Sequence, residues 1–186
     1  MNQKIAIMTD TNSGIMAEEA QRLGVFVVPM PFVVDGEEGF EGVSLDADRF
    51  YERQRAGANI VTSQPSIVDL GERWHELLGT YTLSRHFEGH VHVVDNQRIS
   101  VMQRESAIDA LRWVEAGLSA QEVCDRLHAT KFDASIYIMV DTMAYLHKSG
   151  RITPAAAAIG SVLKIRPVLQ IQRRIHSVEV PRTSQR

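Results

Sequence analysis

The sequence predicts an α/β protein in which a parallel sheet flanked by helices is followed by a truncated second α+β domain. Up to Asp141, short apolar runs alternate with amphipathic helical patterns, and this alternation is typical of parallel strands joined by helices. Most of the runs are apolar at successive positions, which predicts a sheet covered on both faces. After Asp141 the pattern changes to two helices and a strand pair.

The first strands are predicted from apolar runs that end in polar or turn-forming residues. The opening run "KIAIMTD" has this form, and "NSGIMAEEAQRLG" then reads as a turn and a helix that ends at Gly24. The segment "VFVVPMPFVVDGEEGF" predicts a second strand, a break at two prolines and a hairpin around Asp35-Gly36. The helix "DADRFYERQRAG" follows it.

The rest of the first domain repeats the alternation. Helices are predicted at "SIVDLGERWHELL", "SVMQRESAIDALRWVEAG" and "SAQEVCDRLHAT", the last opened by a capping box from Ser119 to Glu122. Strands are predicted at "HVHVVD" and "SIYIMVD". We expect a first domain over residues 1–141 and a partial second domain over residues 142–186, which is too small to bury a core alone.

Composition excludes several classes of protein. Hydrophobic residues make up 44% and charged residues 23%, the ordinary mixture of a globular domain. No apolar run approaches the roughly 18 residues of a membrane span, and the start of the chain lacks the form of a signal peptide. The single cysteine, Cys124, excludes an internal disulfide. We therefore expect a cytoplasmic protein.

Charge is distributed unevenly along the chain. Residues 1–48 contain nine acids and two bases, or −7, whereas residues 164–186 contain six bases and one acid, or +5. A basic terminal segment can meet an acidic partner, an anionic membrane surface or nucleic acid, or it can be a solvated arginine-rich strand pair. The last interpretation is the most common one, so we expect no nucleic acid and at most transient membrane contact.

The segment "VTSQPS" contains more hydroxyls than its turn requires. Ser66 and Asp69 form a predicted capping box, and Pro65 suits the start of a helix. Thr62 and Ser63 are left over, where the carboxyl end of a strand meets the amino end of a helix. Open α/β sheets bind ligands at such positions, and backbone amides there favour an anion. The alternative is that both hydroxyls serve the turn alone.

A second polar loop, "TDTNSG", follows the first strand. Asp10, Thr11 and Ser13 are predicted to lie at the same edge of the sheet. The loop is not a P-loop, because no Gly-Lys-Ser/Thr follows. It is a candidate head-group loop or a polar turn that caps the first helix.

Other candidate sites carry weaker signals. Arg151, before the apolar helix "TPAAAAIG", can face an anion or a partner. The histidines His86, His90 and His92 lie close together, but no carboxylate or thiol completes a metal set, so no metal is expected. Nucleophile motifs and glycine-rich dinucleotide fingerprints are absent.

Taken in order, six segments resemble the DegV family of bacterial fatty-acid-binding proteins. "IAIMTDTNSG" is similar to the family's first strand and T-D-S-T loop, "GVFVVPMPFVVDGEEGFEG" to its V-V-P-L and D-G stretch, and "VTSQPS" to its T-S-Q-P-S hallmark. "VHVVDNQRIS" resembles the strand ending in I-D-S. "VDTMAYLHKSGRIT" resembles L-x-Y-L-x-x-G-G-R-I-S, and "IGSVLKIRPVLQI" resembles L-x-I-K-P-I-L.

The resemblance implies two domains that hold a long-chain fatty acid between them, without a cofactor and without catalysis by the carrier. It implies that hydroxyls of the T-S-Q-P-S loop, here Thr62 and Ser63, bind the carboxylate. Some members carry the acid to a fatty acid kinase, which phosphorylates it for phospholipid synthesis. In those members the arginine of G-R-I and a later arginine, here Arg151 and Arg182, serve the partner surface.

The chain departs from the family pattern in three places, the first of which is its first loop, D-T-N-S-G instead of D-S-T. The family has a further strand and an S-S-x-L-S-G-T-Y loop, of which "HELLGTYTLSRHF" keeps Gly79, Thr80 and Tyr81. The resemblance makes Thr80 a possible head-group residue together with Asp10, Thr11 and Ser13. The chain also ends where the second domain would continue, so most of one wall of the acyl tunnel is expected to be missing. Two alternatives remain open: an interaction module or decayed paralogue without the lipid pocket, and a small-molecule enzyme that uses the Asp10 and Thr62 loops.

Overall fold

A computed structural model describes five ranges of the chain: 5–44, 47–78, 91–154, 168–171 and 175–178. It divides into two units, residues 1–130 and residues 131–186. The helices of the first unit are α1 (Ala17–Leu23), α2 (Ala47–Arg55), α3 (Ile67–Leu78), α4 (Val101–Glu115) and α5 (Ala120–Ala129). Its strands are β1 (Ile7–Asp10), β2 (Val25–Val28), β3 (Pro31–Val34), β4 (Glu37–Phe40) and β5 (Ile60–Thr62).

The core of the first unit lies beside a parallel pair of strands. β1 and β2 run parallel, with Ile7 opposite Val25. Ile15 is fully buried and packs with Ala20 of α1 and Ala107 of α4 against Ile7. A second cluster brings α4 and α5 together through buried apolar side chains. These are Ala110, Val123 and Leu127.

A three-stranded antiparallel sheet, in the order β4-β3-β5, completes the first unit. The tight turn between β3 and β4 contains Asp35 and Gly36, which have φ angles of 52° and 89°, as a type I′ hairpin requires. Gly39 lies opposite Phe32, and a Cβ there would come within 2.7 Å of the phenylalanine ring. The Phe32 ring also packs edge-on against Phe50 of α2, with ring centroids 5.5 Å apart.

The second unit contains another antiparallel sheet. Its elements are β6 (Ile136–Met139), α6 (Ala144–Lys148), β7 (Val168–Ile171) and β8 (Ile175–Val178), with the strands in the order β6-β7-β8. The predicted pairing of the last two strands is confirmed. The boundary near Asp141 stays a prediction, but "SIYIMVD" supplies β6, which pairs with β7 and belongs to the second unit.

The predicted α/β class is confirmed, as are the hairpin around Asp35-Gly36 and the Ser119–Glu122 capping box. The strand predicted at "HVHVVD" is wrong over residues 91–95, which form no strand. Asx turns follow at once, because the Gln97 amide donates to Asp95 Oδ1 and the Arg98 amide to Asn96 Oδ1. Side-chain bonds of this kind compete with the bonds between strands. Among the described helices, none is long and apolar enough to cross a bilayer.

Candidate functional site

Two candidate hydroxyls, those of Thr62 and Ser63, lie at the end of β5. Thr62 is the last residue of β5 and lies opposite Phe32, so both side chains lie on the same face of the sheet. Ser63 continues the edge, and its amide donates to the Pro31 carbonyl oxygen at 3.2 Å. Both side chains are exposed. Their hydroxyls make no hydrogen bond to any residue that the structure describes, which leaves them open to a ligand.

Ser66, four residues after Thr62, is used by the helix itself. Its Oγ accepts from the Asp69 amide at 3.1 Å, while Asp69 Oδ2 accepts from the Ser66 amide at 3.1 Å and from its hydroxyl at 2.7 Å. This reciprocal pair is the predicted capping box at the start of α3. Of the three hydroxyls in "TSQPS", only this one is therefore needed to start the helix.

The loop after β1 has the opposite character. Asp10 Oδ1 accepts from the Asn12 amide at 2.8 Å. The Ser13 hydroxyl donates to the Asp10 carbonyl oxygen at 2.7 Å and accepts from the Ile15 amide at 3.2 Å. Ser13 is only 1% exposed. These bonds form a closed turn within the loop, and they use the polar atoms that the sequence offered for a head group.

Thr11 connects this loop to the strand beyond it. Its side chain is 7% exposed; the hydroxyl donates to Glu41 Oε2 at 2.6 Å and accepts from the Met30 amide at 3.0 Å. The Glu41 amide in turn donates to the Met30 carbonyl oxygen at 2.9 Å. Since Met30 precedes Pro31, which accepts from Ser63, the two polar loops meet through residues 30 and 31.

A third segment approaches the first loop from the start of α4. Gln103 Nε2 donates to Thr9 Oγ1 at 3.0 Å and to Asp10 Oδ1 at 3.1 Å. The Ser100 amide donates to the Asn12 carbonyl oxygen at 2.9 Å, and Ser100 has a φ of 57°. The edge of the β1–β2 pair is thus fixed by bonds from α4.

Charged side chains hold the helices beside this edge. Arg104 of α4 bonds Glu19 of α1 at 2.5 Å. The hydrogen bond from the Arg104 side chain lowers the pKa of Glu19 below its ordinary value of 4.5, against a smaller opposing effect of burial. Arg53 of α2 bonds Asp35 and Glu37 of the hairpin, each at 3.2 Å. These pairs fix helices to neighbouring elements, and none of them involves Thr62 or Ser63.

The remaining predicted site residues are only partly described. Arg151 is exposed in the turn after α6, where Gly150 has a φ of 70° and the Arg151 amide donates to the Leu146 carbonyl oxygen at 2.9 Å. Thr80 and Arg182 lie outside the described residues, as do His86 and His90. Within the described ranges, no three His, Cys, Asp or Glu side chains are grouped as a metal site.

Two residues of this network were missed by sequence reasoning. Glu41 and Gln103 reach the first loop across 30 and 93 residues of chain. Neither lies in a motif that requires a carboxylate or an amide, and a contact over such a distance leaves no periodic or spacing signal. Only the pairing of the elements brings them to Asp10 and Thr11.

Comparison with known proteins gives consistent relatives. The family model described as "Uncharacterised protein, DegV family" matches residues 4–82 and 80–186. A DegV domain-containing protein of Streptococcus pneumoniae is 30% identical over 189 residues, which cover 89% of this chain and 67% of that protein. A DegV domain-containing protein of Deinococcus radiodurans is 31% identical, with 90% of this chain and 67% of that protein covered. The chain thus spans about two thirds of the length of these relatives.

Solved structures show the same fold. A fatty-acid-binding DegV family protein of Thermus thermophilus is 26% identical, with a TM-score of 0.81 over 96% of this chain and 71% of that one. The fatty-acid-binding protein DegV of Bacillus subtilis is also 26% identical, with a TM-score of 0.72 over 91% of this chain and 68% of that one.

Proposed function

The chain belongs to the DegV family, and on that premise we propose that it binds a long-chain fatty acid whose carboxylate is held by Thr62 and Ser63. The observation that carries the proposal is the difference among the hydroxyls of one segment. Ser66 is used in the helix cap, whereas the Thr62 and Ser63 side chains are exposed and their hydroxyls make no hydrogen bond within the described residues. Relatives of similar fold are described as fatty-acid-binding.

The position of these hydroxyls suits an anion. Thr62 and Ser63 lie five and four residues before Ile67, the first residue of α3, at the end of the helix where its dipole favours negative charge. A hydroxyl that donates to a carboxylate makes a charge-assisted bond, worth about 1.5–3 kcal/mol. In our proposal Asp10, Thr11 and Ser13 do not contact the carboxylate directly. Their side chains already bond protein groups, and the carboxylate of Asp10 would repel that of the fatty acid.

The alkyl tail supplies most of the affinity in this proposal. Each buried methylene is worth about 0.8 kcal/mol, so each added methylene tightens binding about fourfold. Apolar side chains at the start of α3 support such a contact: Ile67 is 88% exposed and Val68 68%. Apolar exposure of this extent next to a polar site is typical of a surface that something covers.

The experiment uses hexadecanoic acid and the delipidated protein. We expect Thr62→Val, which keeps the shape of the side chain but removes the hydroxyl, to weaken binding about 10- to 100-fold. Thr62→Ser keeps the hydroxyl and is the matched control, expected to bind nearly as the unchanged protein does. Isothermal titration of both variants, with the methyl ester of the same acid as the head-group control, measures the difference.

Two results would contradict the proposal. Absence of uptake by the unchanged protein would remove lipid binding. Equal affinity of Thr62→Val and Thr62→Ser would remove the carboxylate contact while leaving lipid binding in place.

We propose further that the protein is a cytoplasmic carrier, not an enzyme, and presents the acid to a kinase that phosphorylates its carboxylate. Arg151 and Arg182 are assigned to the partner surface. The exposure of Arg151 beyond the end of α6 supports this assignment, since a guanidinium there can reach an acidic partner. Loss of kinase-dependent acyl phosphate formation in Arg151→Ala, with unchanged uptake of hexadecanoic acid, tests the partner role.

A further inference from the structure

We propose that Thr11 is a positioning residue for the Thr62/Ser63 site, acting through Met30 and Pro31, and that Glu41 orients its hydroxyl. The proposal rests on the proposed function for its meaning in binding. The positioning of Ser63 by Thr11 can be tested without a ligand, because it depends on hydrogen bonds between two loops that the structure describes.

The first step is the position of the Thr11 hydroxyl. It is buried and uses both of its roles, as donor to Glu41 Oε2 and as acceptor from the Met30 amide. A hydroxyl can rotate freely, so a carboxylate that takes its proton also decides where its lone pairs point. Glu41 therefore directs a lone pair of Thr11 towards the Met30 amide.

The second step is the bond from the next residue to the site. Pro31 has no amide hydrogen, and its carbonyl oxygen accepts from the Ser63 amide at 3.2 Å. This bond lies beyond the last strand pair, Phe32 with Thr62. Within the described residues, this is the backbone bond that holds Ser63 at the end of the β3–β5 ladder, so the placement of Pro31 decides where Ser63 lies.

The third step is what holds Pro31. Met30, its neighbour, is bonded on both sides: its amide donates to Thr11, and its carbonyl oxygen accepts from the Glu41 amide. Without the Thr11 hydroxyl, the partly buried Met30 amide loses its bond to the β1 loop, and the segment before Pro31 is less restrained. A ligand group held by two hydroxyls needs them in fixed places, because a small misplacement weakens both bonds.

Ser13 provides a matched control. Its hydroxyl is as buried as that of Thr11 and also makes one donated and one accepted bond. Both of its partners, Asp10 and Ile15, lie within the first loop or at its end. A variant at Ser13 therefore damages the same loop without removing a bond to Met30.

The test measures amide hydrogen exchange and the affinity for hexadecanoic acid. We expect Thr11→Val to speed exchange at Met30 and Ser63 about two- to tenfold beyond any change at the Val123 amide of α5, and to weaken binding by a similar factor. Thr11→Ser should restore both values. Ser13→Ala should speed exchange at Ser63 no more than it speeds exchange at the Val123 amide. Glu41→Ala, at an exposed side chain, tests the same chain of bonds in a variant that keeps the core intact, and Glu41→Gln restores the acceptor.

Unchanged exchange at Ser63 in both Thr11→Val and Glu41→Ala would overturn the proposal. So would an equal acceleration in Ser13→Ala. If the unchanged protein takes up no hexadecanoic acid, the proposed function fails, but the exchange measurement still decides whether Thr11 positions Ser63.

Discussion

The loop after β1 and the loop after β5 have similar sequences but use their hydroxyls in opposite ways. Each follows a strand, and each contains a threonine, a serine and a residue that starts a helix or turn. In the first loop Thr11 and Ser13 are buried and bond protein groups. In the second, Thr62 and Ser63 are exposed and have no such bonds within the described residues. Polar residues at a strand end therefore do not by themselves identify a ligand contact.

The physical difference lies in what surrounds each loop. The first lies between β2 and α4, where Met30, Ser100 and Gln103 supply bonding partners. Buried polar atoms have to be paired, so this loop is complete without a ligand. The second ends the sheet at β5, and its hydroxyls keep their full bonding capacity in water. A carboxylate bound at the second loop, as we propose, would replace water without breaking any side-chain hydrogen bond of Thr62 or Ser63 seen among the described residues.

The largest difference expected between the two loops is in the free energy of unfolding. We expect Ser13→Ala to lower the free energy of unfolding by about 1–3 kcal/mol, because it leaves the Asp10 carbonyl oxygen and the Ile15 amide without their partner. Ser63→Ala should change it by less than about 0.5 kcal/mol, since its exposed hydroxyl bonds no protein group among the described residues. Urea denaturation of both variants at equal m-value measures the two differences. Equal midpoints for the two variants would break the comparison.

A smaller expected effect distinguishes Ser66, which caps α3, from Thr62 within the second loop. Ser66→Ala removes the cap of α3 and should cost about 1 kcal/mol, as Ser119→Ala should at the matched capping box of α5. Its effect on hexadecanoic acid binding should be smaller than that of Thr62→Val, because the cap fixes the helix and does not touch the acid. Ser66→Asp retains a capping oxygen and should recover most of the stability. A loss of binding in Ser66→Ala as large as that in Thr62→Val would show that the division is wrong.

Much of this arrangement could be predicted from the sequence, and the failures have one cause. The hairpin at Asp35-Gly36 and the Ser119 capping box depend on neighbouring residues, and both are confirmed. The strand at "HVHVVD" was predicted from local apolar character, but a strand also needs a partner, and the turns at Asp95 and Asn96 end any pairing there.

The same cause limits what could be said of the site. A motif of six residues predicts Thr62 and Ser63 as ligand contacts; the structure shows both side chains exposed, and the contact itself stays a prediction. The bonds that use up Thr11 come from Met30 and Glu41, which the chain brings near only after β2 and β3 have formed. Whether a hydroxyl is free is a property of the folded neighbourhood, so sequence alone left both loops as candidates.

The smallest expected effect is on the stability that the Glu19–Arg104 pair between α1 and α4 provides, and it depends on pH. Arg104 lowers the pKa of Glu19 below 4.5, so the Glu19–Arg104 pair between α1 and α4 stabilises the protein above the unfolded pKa of about 4.5. That contribution is lost as pH falls through the lower pKa of the folded protein. We expect Glu19→Gln to be less stable than the unchanged protein at pH 7 and the difference to shrink as the pH falls below 4.5. Urea denaturation across this range, with exposed Glu18→Gln as the neighbouring control, measures it. Because the Glu19 and Arg104 side chains bond neither Thr11 nor Met30 within the described residues, the affinity for hexadecanoic acid should not follow this titration. A parallel loss of affinity would mean that this pair also supports the Thr11–Met30 connection to the second loop.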